Sequence, residues 1–149
     1  MIISDITCVT SLPGAKKMKI HRDGNIFIGN PLTPLLPPHA IGLLIPLIPF
    51  DQNNGTTRYW PQSQKNNLDE SSFENDLNYF DANSDLGDCV LMDYRVVHVG
   101  NENKSDQIRP LLYINYAANW YFDPNNFTFF SVFLFIYPYK ALGKRYDFR

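Results

Sequence analysis

The chain has 149 residues, of which 44% are hydrophobic and 15% aromatic, and its formal net charge is −2. This length and composition predict one globular unit and are not typical of disordered proteins. This slightly negative net charge differs from the excess of basic residues that is typical of a protein that binds nucleic acid. The two cysteines, Cys8 and Cys89, are too few for a disulfide framework and form no CxxC metal motif. We therefore expect reduced thiols in a cytoplasmic protein.

The chain shows no sign of a secretion signal or of a membrane span. Its first ten residues, MIISDITCVT, lack a basic start and a long apolar region. The most apolar segment, FTFFSVFLFIYP at 127–138, is about half as long as the ~20 residues that a spanning helix needs. We predict that the chain binds no nucleic acid and has no membrane span.

Taken in order along the chain, β-branched and apolar runs bounded by turn residues predict short strands rather than helices. The predicted strands lie within 3–14, 16–23, 39–50, 56–61, 87–100 and 108–122. The run at 39–50 is continuously apolar, which is typical of a strand buried on both faces. Residues 62–87 are polar and predict a long surface excursion, with one short strand near 77–80 and at most a short helix within 66–80. Such a pattern favours an all-β sandwich or barrel.

One pair of side chains in the second predicted strand has a spacing that suits metal binding. His21 and Asp23 are two residues apart, so in an extended strand they project from the same face. Taken alone, the pair is better explained as a surface histidine beside a solvated aspartate. His39, which follows two prolines, is interpreted as a histidine at the start of a strand.

A second site changes the interpretation of this pair. His98 ends one predicted strand and Arg109 opens the next. Two histidines and one carboxylate form the facial triad that suits non-haem Fe(II) and leaves three coordination positions open. An arginine on the neighbouring strand is suited to hold the distal carboxylate of a 2-oxo acid through a bidentate, charge-assisted pair.

The chain resembles the phytanoyl-CoA dioxygenase family of Fe(II)/2-oxoglutarate-dependent oxygenases. The motifs that carry the resemblance are HRD at 21–23, NNGTTRYWPQS at 53–63, GDCVLMDYRVVHVGNEN at 87–103 and RPLLYINY at 109–116. It implies a double-stranded β-helix of the jelly-roll, cupin-like kind, with about eight strands and few or short helices. The core would span 1–125, and 126–149 would be a C-terminal extension of uncertain structure.

The resemblance also implies a set of site residues. His21, Asp23 and His98 would bind Fe(II), and Arg109 would bind the cosubstrate 2-oxoglutarate, with O2 as the second cosubstrate. No catalytic residue is implied beyond the metal ligands. On the strand that ends at His98, Tyr94 and Val96 are predicted to share the inward face with this histidine. On the strand that begins at Arg109, the predicted inward residues are Leu111, Tyr113 and Asn115, together with the arginine itself. One departure is Pro61-Gln62-Ser63-Gln64, where the family commonly has Pro-Gly-Ser-His.

The predicted function is that of a dioxygenase that hydroxylates a small organic or acyl substrate and releases succinate and CO2. The carboxylate of Asp23 favours hydroxylation, because halogenases of similar sequence lack it and leave room for a halide. One alternative is a catalytically inactive jelly-roll module, derived from such an enzyme, that serves in binding or assembly. Another is a cupin-like enzyme with a different metal, which the presence of Arg109 argues against.

Overall fold

The computed structural model of the protein describes residues 1–24 and 31–121. Within them, the strands are β1 (Ile2–Ser11), β2 (Ala40–Pro46), β3 (Thr57–Tyr59), β4 (Phe80–Asp81), β5 (Val90–Asp93), β6 (His98–Gly100) and β7 (Arg109–Ala117). The helices of this part are short 3₁₀ turns at Thr33–Leu35, Ser63–Lys65 and Glu70–Phe73. None of the described helices is long and apolar enough to cross a membrane.

The strands form two antiparallel sheets. One sheet has the order β1-β7-β2-β5, and the other has the order β4-β3-β6. The predicted all-β, jelly-roll class is therefore confirmed. The predicted extension at 126–149 lies outside the described residues, so the division into core and extension stays a prediction.

The core lies between the sheets, where the inward side chains of β2 and β7 meet those of the smaller sheet. Leu44, Tyr59, Met92 and Leu111 are buried together there. The prediction that 39–50 is buried on both faces is wrong, because β2 alternates strictly between buried and only partly buried residues. The reason is that the described residues place no layer on the outer side of the larger sheet.

The predicted strand at 16–23 is not regular. It runs beside β6 and makes one isolated bridge, between His21 and His98, while the Met18 amide donates to the Gly100 carbonyl at 2.9 Å. Two residues separate Met18 from His21, but only Val99 separates their partners, Gly100 and His98. The segment at 16–23 therefore has one more residue than the matching part of β6. The two motif residues therefore lie on an irregular segment that follows β6.

The predicted strand at 87–100 is divided between the two sheets. β5 belongs to the larger sheet and β6 to the smaller one, with a turn at Tyr94 and Arg95 between them. Arg95 fixes this turn, since its guanidinium pairs with the Asp93 carboxylate at 2.6 Å and also donates to the carbonyls of Thr33 and Leu36. Tyr94 and Val96 consequently do not share one strand face with His98, which corrects that part of the prediction.

Candidate metal centre

His21, Asp23 and His98 come together between the sheets, and each offers one ligand atom to a common point. These atoms all lie within 4.8 Å of one another. The Asp23 Oδ1 atom is 3.6 Å from His21 Nε2 and 3.7 Å from His98 Nε2. The centroids of the two imidazole rings are 4.3 Å apart.

The hydrogen bonds of both imidazoles determine which ring nitrogen is free. His21 Nδ1 lies 2.8 Å from the Lys19 carbonyl oxygen, and His98 Nδ1 lies 3.0 Å from the Val96 carbonyl oxygen. A carbonyl oxygen can only accept, so each Nδ1 carries the proton and donates it. The lone pairs of both Nε2 atoms therefore face the Asp23 carboxylate, which is the arrangement that a metal ligand needs.

The two separations that involve Asp23 also fit one ion. Two atoms bound to the same ion at about 2.1 Å can lie no more than about 4.2 Å apart. The distances from Asp23 Oδ1 to the two histidine nitrogens, 3.6 and 3.7 Å, are inside this limit. Two imidazoles and one carboxylate are a donor set that suits non-haem Fe(II).

Burial keeps the His98 ring in the form that can bind a metal. The pKa of His98 is lowered from its ordinary value mainly by burial, an effect that the nearby Asp23 carboxylate partly opposes. A lowered pKa means that the neutral ring persists to lower pH than in a solvated histidine. His98 is thus available as a neutral ligand at neutral pH.

Arg22, between the two motif residues, holds this segment in place. Its side chain is buried, and it donates to the carbonyls of Arg95 at 3.0 Å and Leu68 at 3.1 Å. The Arg22 amide donates to the Glu70 carboxylate at 3.1 Å. Arg22 points away from His21 and Asp23, as the alternation of side chains predicts, and connects the metal-binding segment to the 62–87 excursion.

Two tyrosines contact the cluster. The Tyr113 hydroxyl donates to Asp23 Oδ2 at 2.5 Å, and the Tyr59 ring stacks on His98 with centroids 6.1 Å apart. The pKa of each phenol is raised, mainly by burial, so both stay protonated. The sequence analysis placed Tyr113 on the inward face but missed Tyr59, which the pairing of β3 with β6 sets directly opposite His98.

Arg109 lies on the inward face of β7, and within the described ranges its guanidinium pairs with no anionic side chain. Nη1 donates to the Gly55 carbonyl at 2.5 Å, while the buried Nε has no hydrogen-bond partner among the described residues. No carboxylate of the described residues lies within ion-pair distance of it. Burial lowers the pKa of Arg109, and its guanidinium carbon is 5.1 Å from the Phe50 ring centroid.

A glycine positions the carbonyl that Arg109 contacts. Gly55 has a φ of +84°, and a Cβ atom there would lie 2.9 Å from the Asn101 carbonyl oxygen. The left-handed backbone and the close approach both require glycine at this turn. The predicted inward face of Arg109 is regular, since Leu111 and Asn115 are also buried on it despite Pro110.

The fold and the cluster together define a jelly-roll protein with a candidate metal centre between its sheets. The sequence model of the phytanoyl-CoA dioxygenase (PhyH) family matches residues 1–111. The chain belongs to this family.

Three similar proteins illustrate the relationship. Dioxygenase FUM3 of Gibberella moniliformis is 34% identical over 109 residues, which cover 72% of this chain and 36% of that protein. Iron/alpha-ketoglutarate-dependent dioxygenase ausO of Aspergillus calidoustus is 29% identical over 101 residues, with coverages of 61% and 32%. The solved structure of AviO1 from Streptomyces viridochromogenes Tue57 has the same fold, with a TM-score of 0.66, 22% identity, and coverages of 80% and 52%. The chain thus spans about a third of the length of the two fungal relatives.

Proposed function

We propose that the chain carries the active-site core of an Fe(II)- and 2-oxoglutarate-dependent dioxygenase that hydroxylates a small organic or acyl substrate. The observation that carries the proposal is the convergence of His21, Asp23 and His98 beside a buried arginine that has no anionic partner among the described residues. The family membership and the name of the relative ausO support the same cofactor and cosubstrate. The cytoplasmic location stays a prediction of the sequence.

In this proposal, the Nε2 atoms of His21 and His98 and Asp23 Oδ1 hold the iron. Loaded with Fe(II), 2-oxoglutarate and O2, the site would supply the oxidation that yields succinate, CO2 and a hydroxylated substrate. The chain's contribution is to present three ligand atoms on one side, which leaves positions open for the cosubstrates. The buried surroundings of His98 and Tyr59 exclude water from that side of the site.

Arg109 is proposed to bind the distal carboxylate of 2-oxoglutarate. A buried guanidinium without a counter-ion is unfavourable, because burial removes the water that solvates its charge. Its contact with the Gly55 carbonyl uses one donor and leaves Nε available. A carboxylate is the group that matches this fork with charge-assisted hydrogen bonds.

The metal ligands are tested by comparing two histidine variants. The chain has three histidines, and His39 is as buried as His98 but lies outside the cluster. We expect His98→Ala to weaken Mn(II) or anaerobic Fe(II) binding by more than about 100-fold, since losing even an outer partner of a ligand costs about 10–100-fold. His39→Gln should bind the metal normally if circular dichroism shows that it folds. Equal binding by His98→Ala and the wild type would contradict the assignment.

The role of Arg109 is tested with two 2-oxo acids. Arg109→Gln should weaken 2-oxoglutarate binding to the metal-loaded protein by at least about 30-fold, which corresponds to about 2 kcal/mol for a lost buried charge pair. Binding of 2-oxobutyrate, which has no distal carboxylate, should change little, and so should metal affinity. An equal loss for both acids would show that Arg109 does not bind the distal carboxylate.

Turnover separates the enzyme from the binding-module alternative. The wild type, supplied with Fe(II), ascorbate and 2-oxoglutarate, should release succinate, and candidate substrates should increase the rate. A chain that binds neither metal nor 2-oxoglutarate would favour the inactive jelly-roll module instead.

A further inference from the structure

Asp23 has two carboxylate oxygens in different surroundings. Oδ1 faces the Nε2 atoms of both cluster histidines, at 3.6 and 3.7 Å. Oδ2 accepts the hydroxyl of Tyr113 at 2.5 Å. An O–H···O⁻ bond of this length is in the strong, charge-assisted class. The two carboxylate oxygens of Asp23 therefore face different partners.

The two partners of this bond differ in how firmly the fold holds them. Asp23 lies on the irregular segment beside β6, and its amide and that of Gly24 donate to the same carbonyl, that of Tyr94. Tyr113 lies near the middle of β7, which pairs with β1 on one side and β2 on the other. The hydrogen bond thus ties a ligand on an irregular segment to the centre of the larger sheet.

A glycine on β2 makes room for the Tyr113 ring. Gly42 is one of the inward positions of β2, and a Cβ atom built there would lie 2.5 Å from the Tyr113 hydroxyl oxygen and 2.8 Å from Cζ. Carbon atoms do not approach that closely, so any larger residue at this position would force the ring to move. The ring can lie across β2, with its hydroxyl at Asp23, only because position 42 has no side chain.

We propose that Tyr113 and Gly42 form a positioning device that makes Asp23 a monodentate metal ligand, an inference that rests on the proposed function. Tyr113 holds Oδ2 away from the ion and turns Oδ1 towards it. Without this hydrogen bond, the carboxylate is free to rotate and to offer both oxygens, which would occupy one more coordination position. The device would keep that position open for the cosubstrates.

The test measures metal binding and the coordination of Co(II), neither of which requires turnover. Tyr113→Phe removes only the hydroxyl and should lower Mn(II) affinity about tenfold, the lower end of what loss of a partner of a metal ligand costs. The visible d–d absorption of the Co(II)-loaded variant should differ from that of the wild type, since the coordination number of the ion changes. Tyr116→Phe is the matched control, because Tyr116 lies on the outward face of the same strand. It should match the wild type in both measurements.

The role of Gly42 is tested by a double-mutant cycle. Gly42→Ala should reproduce the affinity loss and the altered spectrum of Tyr113→Phe, because the new methyl group displaces the ring. In the Tyr113→Phe background, Gly42→Ala should add less than about a twofold further loss of affinity, since coupled residues are not additive. If Gly42→Ala fails to fold, Tyr113→Phe and its control still decide the role of Tyr113.

The outcomes separate this inference from the proposed function. Normal affinity and an unchanged Co(II) spectrum in Tyr113→Phe, with metal binding abolished in His98→Ala, would overturn the positioning role and leave the metal site intact. A wild type that binds Mn(II) no more tightly than His98→Ala would overturn the metal site, and this inference would fall with it. Full additivity of Gly42→Ala and Tyr113→Phe would overturn the role of Gly42.

Discussion

At the scale of single residues, Gln62 has a backbone conformation that its side chain disfavours. It has a φ of +66° and is the one non-glycine residue of the described ranges with a positive φ. The resemblance noted in the sequence pairs this position with the glycine of a Pro-Gly-Ser-His motif. With Gln62 in this conformation, the hydroxyl of the next residue, Ser63, donates to the Trp60 carbonyl at 2.6 Å and accepts from the Val97 amide at 2.8 Å. Residue 62 thus carries backbone strain so that Ser63 can connect two segments of the site.

We expect Gln62→Gly to stabilise the protein. The left-handed conformation destabilises the folded state by about 1–2 kcal/mol at a non-glycine residue, and glycine removes this strain. Glycine also has more conformational freedom in the unfolded chain, which opposes folding by about 0.5–1 kcal/mol. The free energy of unfolding in urea should therefore rise by about 0.5–1 kcal/mol. Gln64→Gly, two residues away and without a positive φ, should instead lower it. A Gln62→Gly variant less stable than the wild type would contradict the strain.

At the scale of elements, the C-terminal part of the 62–87 excursion is bound to the smaller sheet. β4 pairs with β3, and across this pair Arg58 donates to both oxygens of Asp81 at 2.8 Å. Asn101 donates to the same carboxylate at 2.9 Å. These bonds, above all those from Arg58, lower the pKa of Asp81 from its ordinary value of 3.8. The pair therefore makes the excursion part of the sheet.

The stability contributed by Asp81 should depend on pH in a defined direction. Because the folded-state pKa is lowered, the contribution is present above the unfolded-state value of 3.8 and is lost as the pH falls through the folded-state value. Asp81→Asn should lower the free energy of unfolding by about 1–2 kcal/mol at neutral pH, as expected for a partly buried, charge-assisted pair.

Urea titrations of Asp81→Asn and the wild type at a series of pH values test this. Their difference should shrink steadily as the pH falls below about 4. Glu74→Gln, an exposed carboxylate of the same excursion, is the control and should change stability little at any pH. A difference that is constant down to pH 2 would show that the charge of Asp81 is not responsible.

At the scale of the whole molecule, the larger sheet has an apolar outer face. The strand register places on it Ile3, Ile6, Ile41, Leu43, Ile45, Leu91, Leu112, Ile114 and Tyr116. With respect to the described residues, Leu91 is 71% exposed and Ile6 is 46% exposed. A contiguous apolar surface of this kind is unusual on a soluble monomer and tends to bind other apolar groups.

We expect this outer face to bind the hydrophobic dye ANS. The double variant Ile6→Thr/Leu91→Thr places β-branched threonines, which are suited to strands, at both positions and should lower ANS fluorescence. Its Mn(II) affinity should be unchanged, because the metal centre lies on the other side of the sheet. Leu77→Thr changes a residue that is 82% exposed but lies on the 62–87 excursion, and it should leave dye binding as it is. Unchanged fluorescence in the double variant would show that this face is covered in solution.

Much of the site could be predicted from the sequence, because its chemistry depends on residue types at short spacings. The HxD motif, the remote His98 and the arginine that follows it predicted the cluster and the buried cation. Strand alternation predicted the inward face of β7. Both signals are local, since the direction of a side chain along a strand follows from its position in the period of two.

The tertiary structure alone decided how these parts are held. The hydrogen bond from Tyr113 to Asp23 joins residues 90 positions apart, and the space above Gly42 exists only because β2 pairs with β7. The break between β5 and β6 depends on Arg95, whose acceptors at Thr33 and Leu36 are about 60 residues away. The alternation of side chains along a strand determines which way each side chain points. Which partner it meets depends on the packing of the two sheets and on the turn that joins their strands, and neither follows from a local pattern.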